Sequence, residues 1–450
     1  MRRLRQLCNL ALAGVLLLAA CGRSETDRET EAAAQAANPG GLSPGRGGIS
    51  RVVATSSFAA VAADESRAAE IGRDILLNGG NAIDAATAMY FAMAVTLPSA
   101  AGLGASGACI AHDQKNKSVE AIVFPPVAAS GTIAGQSFAV PAGVRAITLM
   151  HVRHGQMRWE QTVAPAERLA RSGVPVSRAL TRDLQASAGS LGGDRELSRI
   201  LSKGGAMLTE GDLWIQADLA ATLASIRQHG GSDFFSGPLG RKLSEQISQM
   251  GGNLPLDALR NAVPQAGPPT SESYGAFSGR KVYVAPSPAA GALALAGWKG
   301  QAPAGPAPTN SGGFSGLVAV DSKGGAAACS LSMGQLFGAR MVVPGMGVLL
   351  GAATPDAGSV SPLIIASPNN GEFTFAGAGG GAPTAPQAVG AVARATVEGG
   401  QSIGTVLKSR GGQGGFVNAI VCSGGLRSDP SLCRYGIDPA SAGLALLAGG

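Results

Sequence analysis

The order of apolar patterns along the chain is the feature that most restricts its fold. A strand-like stretch begins near Arg51, helical patterns dominate residues 142–250, and several strand-like runs follow residue 313. A sheet must bury at least one face against another layer, so this order predicts sheets packed against helical layers. The sequence therefore predicts an α+β fold.

Local signals place some of these elements. Asn81, with Asp84 three positions later, predicts a capped helix start, and the apolar residues that follow lie all round the helix, as expected between two layers. We expect the preceding helix to be capped by Asp64 or Ser66. Further on, a polar turn between two strand-like runs, at about residues 103–113 and 119–124, predicts a hairpin.

The first twenty residues predict export. Three arginines precede an apolar run that ends in small residues before Cys21, which is the pattern of a lipoprotein signal peptide with Cys21 as the lipidation site. The run is too short for a lasting membrane span. Gly22, where an aspartate would favour inner-membrane retention, predicts an outer-membrane anchor facing the periplasm. An ordinary cleaved signal that ends in cysteine by chance is the alternative.

Charge and composition exclude several classes of partner. The formal charge of +6 falls to +3 once the three arginines of the signal are removed, so a nucleic-acid partner is not predicted. The four histidines have no acidic or cysteine neighbours at ligand spacing, so we predict no metal site and no cofactor. We expect the partners to be a small molecule and, through the lipid, the membrane.

Cysteine use agrees with an oxidising compartment. Cys422 and Cys433 bracket a turn-rich loop, which predicts a local disulfide, with two separate thiols as the alternative. Spacing does not decide whether Cys109 and Cys329 pair.

Several sequence blocks, in order, resemble gamma-glutamyltranspeptidases. They are GGNAIDAATAM, LPSAAGLGASG, MGGNLPLDAL, VDSKGGAAACSLSMGQLFGARMVVPGMGVLL and YGIDPASAGLALL. The chain is identified as a divergent, shortened member of that family over about residues 51–440. The resemblance implies a four-layer αββα sandwich of the N-terminal-nucleophile hydrolase type.

The resemblance also divides the chain. Residues 1–20 are the predicted signal peptide and 21–50 the lipidated cysteine and a flexible tether. Residues 51–299 resemble the family's large subunit and 314–450 its small subunit, together forming one sandwich domain. The Pro- and Gly-rich linker 300–313 stands where the family's precursor cuts itself.

The family's chemistry uses a threonine freed by self-cleavage, whose own α-amino group serves as the base. A hydroxyl is a weak nucleophile and needs this base, and the tetrahedral intermediate needs backbone N–H donors. The segment AGAGGGAP resembles the one that supplies those donors, which implies that Gly380 and Gly381 form the oxyanion hole. A plain glycine turn is the alternative.

The nucleophile is missing from its expected place. The family's Thr-Thr-His is replaced by Phe314, Ser315 and Gly316. Ser311 or Ser315 is the candidate nucleophile, with Thr309 more remote, because serine performs the same role in related enzymes. A linker or strand serine without catalytic duty is the alternative for both.

Substrate recognition is reduced as well. The family's carboxylate-binding arginine is replaced by Pro125, and its serine pair by Gly358 and Ser359. Ser332 keeps a hydroxyl where the family has threonine, and the resemblance assigns Asp356 to the substrate ammonium, with an exposed loop aspartate as the alternative. Loss of the arginine leaves a desolvated carboxylate without its cation, which costs several kcal/mol.

Two functions follow from these observations. The first is a gamma-glutamyltransferase-like lipoprotein that hydrolyses or transfers a gamma-glutamyl or other amide-linked acyl group. The second is an inactive pseudoenzyme that binds a small peptide or an envelope protein on the same sandwich. A serine within reach of Gly380 and Gly381 would favour the enzyme, and Phe314 occupying that space would favour the pseudoenzyme.

Overall fold

Two antiparallel sheets form the centre of the computed structural model, which describes residues 57–275, 279–301 and 312–448. The predicted signal peptide, Cys21, the tether and Ser311 lie outside the described residues. The first sheet has the strand order β10-β3-β2-β14-β13-β1-β21. Its strands are β1 (Ala60–Ala63), β2 (Ser106–Asp113), β3 (Ser118–Phe124), β10 (Gln265–Gly267), β13 (Phe314–Val320), β14 (Ala326–Ser332) and β21 (Leu444–Leu447).

The second sheet has the order β11-β12-β17-β18-β19-β20. Its strands are β11 (Thr270–Tyr274), β12 (Arg280–Val284), β17 (Leu363–Ala366), β18 (Phe373–Gly380), β19 (Phe416–Cys422) and β20 (Cys433–Ile437). Four short ribbons pair β4 with β5, β6 with β9, β7 with β8 and β15 with β16. These strands are β4 (Ala128–Ile133), β5 (Gln136–Ala139), β6 (Val174–Pro175), β7 (Ser202–Lys203), β8 (Ala206–Met207), β9 (Leu213–Trp214), β15 (Val342–Val343) and β16 (Val348–Leu349).

Helices cover the outer face of each sheet. Those that belong with the first sheet are α1 (Ser66–Leu77), α2 (Ala82–Thr96), α3 (Pro98–Ala101), α4 (Gly143–His154), α5 (Trp159–Ser172), α6 (Arg178–Ser187), α7 (Arg195–Ile200), α8 (Ala217–His229), α9 (Asp233–Ser236), α10 (Pro238–Gln249) and α11 (Leu256–Asn261). Those that belong with the second sheet are α12 (Ala290–Trp298), α13 (Ala385–Val397) and α14 (Ile403–Arg410).

Three apolar clusters separate these layers. One joins the first sheet to its helices and includes Leu317 and Ala319 of β13. A second lies between the sheets and includes Val318 and Val320, the alternate residues of the same strand. A third joins the second sheet to α12, α13 and α14. The fold is thus a four-layer αββα sandwich, as predicted.

Some element boundaries differ from the expectations. α2 begins as predicted, with Asn81 and Asp84 forming a capping box, and all of its residues are buried. The prediction that α1 is capped by Asp64 or Ser66 was wrong, because Glu65 is the N-cap and its carboxylate accepts the Ala68 N–H at 2.9 Å. β2 and β3 form the predicted hairpin.

Both cysteine pairs lie directly across neighbouring strands. Cys422 and Cys433 are joined by a disulfide between β19 and β20, and Cys109 and Cys329 by a disulfide between β2 and β14. The second bridge links residues 220 positions apart in the sequence. It therefore ties the first part of the chain to the part that follows the linker.

No helix within the described ranges is long and apolar enough to span a bilayer.

Candidate active site

The start of β13 defines the candidate site, because the resemblance places the family's nucleophile at or just before this strand. Phe314 opens this strand and pairs directly with Ser332 of β14. Its ring points between the two sheets, where it packs with Ala108, Ala285 and Val360, and only 4% of the residue is exposed. One of the positions to which the resemblance can assign the nucleophile therefore holds a buried aromatic ring.

The glycine pair lies against this strand end. The Gly381 N–H donates a hydrogen bond to the Phe314 carbonyl oxygen at 2.8 Å. A Cβ at Gly380 would lie 2.6 Å from the Ser315 Cα and 2.3 Å from an Asp64 carboxylate oxygen, so only glycine fits there. One of the two N–H donors that the resemblance assigns to an oxyanion hole is therefore already occupied by the main chain.

Ser315 lies on the other face of β13. Its Oγ is buried and donates to the Ala100 carbonyl oxygen of α3 at 3.2 Å, within the helical layer. Successive side chains of a strand point to opposite faces, so this hydroxyl points away from the inter-sheet space that Gly380 approaches. The structure does not support Ser315 as a nucleophile, and Ser311 lies outside the described residues.

Ser332 faces the inter-sheet space beside Phe314, but its hydroxyl already has a local partner. The Ser332 Oγ accepts the Gly334 N–H at 2.9 Å, and the side chain is buried. Its carbonyl accepts the Ser106 hydroxyl at 3.2 Å, and the same hydroxyl lies 3.4 Å from the Ala357 carbonyl. Ser106 thus joins Ser332 to the turn at Pro355–Gly358.

That turn carries the two predicted substrate-binding residues. Asp356 is exposed, and its carbonyl accepts the Ser359 N–H at 2.8 Å. Gly358 approaches Pro126, since a Cβ there would lie 3.6 Å from the proline ring. The structure therefore brings this turn close to the segment 125–126. Pro125 stands where the resemblance implies a carboxylate-binding arginine.

Asp64 is a site residue that sequence analysis treated only as a helix cap. Its carboxylate accepts the Gly316 N–H at 2.7 Å and the Asn418 side-chain N–H at 3.0 Å. Asn418 also donates to the Gly316 carbonyl at 2.9 Å. Asp64 and Asn418 therefore join the two sheets at Gly316, the position that the resemblance assigns to the family's histidine. The sequence signal that could have identified this residue is the pair of adjacent acids, Asp64 and Glu65, that directly follows an apolar strand.

Burial controls the ionisation of this acid. Removal from water raises the pKa of Asp64 from 3.8 to about 6, although the Gly316 and Asn418 hydrogen bonds and the charge of Arg182 act in the opposite direction. The neighbouring Glu65 is also buried, and desolvation raises its pKa. The site thus contains a carboxyl group that titrates close to neutral pH.

Known proteins share both sequence and fold with this chain. A model of the gamma-glutamyltranspeptidase family matches residues 68–300. Glutathione hydrolase 3 of Arabidopsis thaliana is 30% identical over 48% of this chain and 36% of its own length. The glutathione hydrolase proenzyme of Escherichia coli K12 is 31% identical over 52% of this chain and 43% of its own length.

The similarity in structure extends further along the chain. The crystal structure of cephalosporin acylase from Bacillus halodurans superposes with a TM-score of 0.71 at 19% identity, covering 91% of this chain and 98% of the other. At this identity the match shows a shared fold. The matched sequence spans about two fifths of the length of the curated relatives named above.

Proposed function

The chain belongs to the gamma-glutamyltranspeptidase family, and from this premise we propose that it keeps the family's fold without self-cleavage or gamma-glutamyl transfer. In this proposal it acts in the bacterial envelope as a binding protein for a small peptide or amide, or for another envelope protein. Fold is shared more widely than function, so the proposal is argued from the site.

The observation that carries the proposal is the position of Phe314. Its ring is buried where a nucleophile would have to face a substrate, and its carbonyl takes the Gly381 N–H that an oxyanion would need. Burying a side chain of this size stabilises a fold by roughly 2–3 kcal/mol. Catalysis at this point would require the ring and the main chain to move together.

Loss of the neighbouring groups supports the same conclusion. Gly316 supplies no imidazole, and Asp64 and Asn418 are hydrogen-bonded at that point. Pro125 supplies no cation for a substrate carboxylate. Among the residues that the structure describes, several groups that the resemblance assigns to the family's apparatus are therefore replaced in this one site.

An amidase assay with a matched variant tests this proposal. We expect the purified protein to hydrolyse a chromogenic gamma-glutamyl anilide no faster than its Ser311→Ala variant, because Ser311 is the remaining nucleophile candidate. The Ser315→Ala variant is the second control, since its hydroxyl lies in the helical layer. Hydrolysis that disappears only in Ser311→Ala would overturn the proposal.

An amide hydrolase that uses Ser311 is the second candidate function. Three features favour it: the glycine pair still lies at the start of β13, Ser332 still faces the same space, and Ser311 precedes Gly312 at the family's processing point. In this version self-cleavage before Ser311 would create the α-amino base, and the acyl group would be one that needs no arginine partner.

We also propose that the protein is lipid-anchored at Cys21 and faces the periplasm. The support is the signal sequence before Cys21 and the two disulfides, which suit an oxidising compartment. The polar residues 22–50 would then separate the folded part from the membrane.

A further inference from the structure

The described chain begins at one end of the sandwich. The first residue of β1, Ala60, pairs with Val320 at the end of β13 and with Leu447 at the end of β21. Phe314 opens β13 at its other end, about 20 Å away for a strand of this length. We name the end of the molecule that holds Ala60, Val320 and Leu447 the entry end, because the chain from residue 57 onward enters the fold there.

Connections from both sheets meet at the entry end. A Cβ at Gly324, in the turn between β13 and β14, would lie 3.2 Å from the Gln114 Cγ and 3.7 Å from the Arg427 Cδ. A Cβ at Gly371, in the turn between β17 and β18, would lie 2.6 Å from the Gln114 carbonyl oxygen. Gln114 belongs to the turn between β2 and β3, and Arg427 to the connection between β19 and β20. These four connections therefore form one continuous surface.

The exposed charges of this surface are positive. The charged residues that are exposed in the four connections and at the start of β20 are Lys115, Lys117, Lys323, Arg427 and Arg434. Within the described residues none of the five forms an ion pair with an acidic side chain. Their ammonium and guanidinium groups are therefore available to an anionic partner.

The acids of the same connections are drawn back towards protein N–H groups. Asp321 and Glu372 are buried, and their carboxylates accept backbone N–H groups at 2.7–3.0 Å. Asp113 and Asp429 are half-buried, and each accepts a backbone N–H of its own turn. An anion that approaches the entry end therefore meets the cations before it meets a carboxylate.

Exposed apolar side chains border these cations. Leu432 is 45% exposed directly before β20, Leu447 is 38% exposed, and Tyr435 is 37% exposed. The ring centroid of Tyr435 lies 6.4 Å from that of Phe58, just before β1. Tyrosine and leucine side chains beside lysine and arginine are typical of surfaces that lie at a membrane interface.

We propose that the entry end lies on the anionic phospholipid surface of the membrane, so that the candidate site at Phe314 faces away from the bilayer. The charge of the surface is complementary to phospholipid phosphates. The chain also leaves the fold towards Cys21 at this end, so the anchor and the surface act on the same end of the sandwich. In this respect the inference rests on the proposed lipid anchor. Binding of this kind is reversible and screened by salt, so it orients the fold and does not replace the lipid.

Vesicle binding by the chain from residue 22 onward, which includes every described residue, tests the surface without the anchor. We expect this protein to sediment with vesicles that mix phosphatidylglycerol into phosphatidylcholine, and not with phosphatidylcholine alone. High salt should release it. Equal binding to both kinds of vesicle, or binding to neither, would overturn the proposal. Because this protein lacks Cys21, such a failure is distinct from a failure of the anchor, which fractionation of Cys21→Ser after a high-salt wash tests by itself.

Matched triple variants locate the binding surface. The test variant carries Lys115→Gln, Lys323→Gln and Arg427→Gln. The control removes the same charge from exposed positions on α5, α7 and α10, and carries Arg168→Gln, Arg195→Gln and Arg241→Gln. The test variant should bind phosphatidylglycerol vesicles about a hundredfold more weakly, since each cation near an anionic surface contributes a factor of about five. Equal weakening in the two variants would show attraction by net charge alone and would contradict the proposal.

Hydrogen exchange in the presence of the same vesicles tests the orientation. Amides in the turns at 114–117 and 321–325 should exchange more slowly when phosphatidylglycerol is present, because these turns would lie at the lipid surface. Amides of the Pro355–Gly358 turn, which belongs to the candidate site, should be unaffected. Slower exchange at Pro355–Gly358 without any change at the two entry-end turns would contradict the proposed orientation.

Discussion

Through Asp64, a single residue between the two sheets, the stability of the fold depends on solution pH. Its carboxylate is buried and holds Gly316 of one sheet and Asn418 of the other. The folded pKa of about 6 lies above the ordinary 3.8, so the folded state favours the protonated form. Asp64 therefore contributes stability below about pH 4, and this contribution is lost as pH rises through about 6.

Asp64→Asn should remove this pH dependence. A carboxyl group whose pKa rises from 3.8 to about 6 on folding weakens folding by up to about 3 kcal/mol above pH 6. Relative to wild type, the variant should gain free energy of unfolding as pH rises from about 4 to about 7. Urea denaturation at a series of pH values measures this difference.

The exposed Asp74→Asn variant on α1 is the control for that series. The difference in free energy of unfolding between Asp64→Asn and wild type should change with pH, whereas that of the control should not. If the Asp64→Asn difference stays constant, or changes in the opposite direction, the ionisation assigned to Asp64 is wrong.

At the level of elements, the close approach of β13 and β18 explains why the family's histidine has no space here. A Cβ at Gly316 would lie 2.9 Å from the Ala378 carbonyl carbon and 3.1 Å from the Asn418 Nδ2. The nearer contact is main chain, which cannot move aside as a flexible side chain can. The absence of a side chain at Gly316 is therefore part of how the two sheets pack.

Gly316→Ala should destabilise the fold by about 1–3 kcal/mol, since overpacking a tight core costs that much. Thermal or urea denaturation measures the loss. Gly189→Ala is the matched control, because its added Cβ would have no neighbour within 4 Å, and it should change stability by less than about 0.5 kcal/mol. Equal stability of the two variants would contradict the packing described here.

Sequence patterns predicted the elements that have strong local signals. The capping box of α2 and the turn between β2 and β3 are such signals, and both elements occur as expected. α13 was not predicted from the sequence. Within the region 142–250, where helical patterns dominate, Leu213 and Trp214 instead pair with β6, and α8 begins only at Ala217.

The site was predicted less completely, for a physical reason. Gly380 and Gly381 were assigned through the family resemblance, and the structure adds that the main chain of β13 approaches Gly380 closely. The face on which Ser315 lies depends on strand register, and a shift of one residue reverses it. The partners of Asp64 come from positions 252 and 354 residues away in the sequence, so no local pattern contains them.

At the level of the whole molecule, the four-layer architecture of the family surrounds the candidate site. The four layers and the superposition on an acylase over 91% of the chain show that the sandwich is intact. Two disulfides tie neighbouring strands within it. The fold is thus intact around Phe314, the residue on which the proposed loss of catalysis rests.

The proposed anchor gives a prediction at the same scale. Cys21→Ser should release the protein from the membrane fraction into the soluble periplasmic fraction, because the attachment point of the lipid is removed. Fractionation followed by immunoblotting measures the distribution, with Cys8→Ser in the signal region as the control. A variant that remains with the membrane would contradict lipid anchoring at Cys21.

The intact mass of the chain from residue 22 onward, measured after prolonged incubation at neutral pH, tests the central claim most directly. Without cleavage in the 300–313 linker no α-amino group can form at Ser311, and the family's base is absent. We predict a single uncut species with the mass of the full chain. Two fragments, the second beginning at Ser311, would show that self-processing survives and would contradict the account of an inactive sandwich.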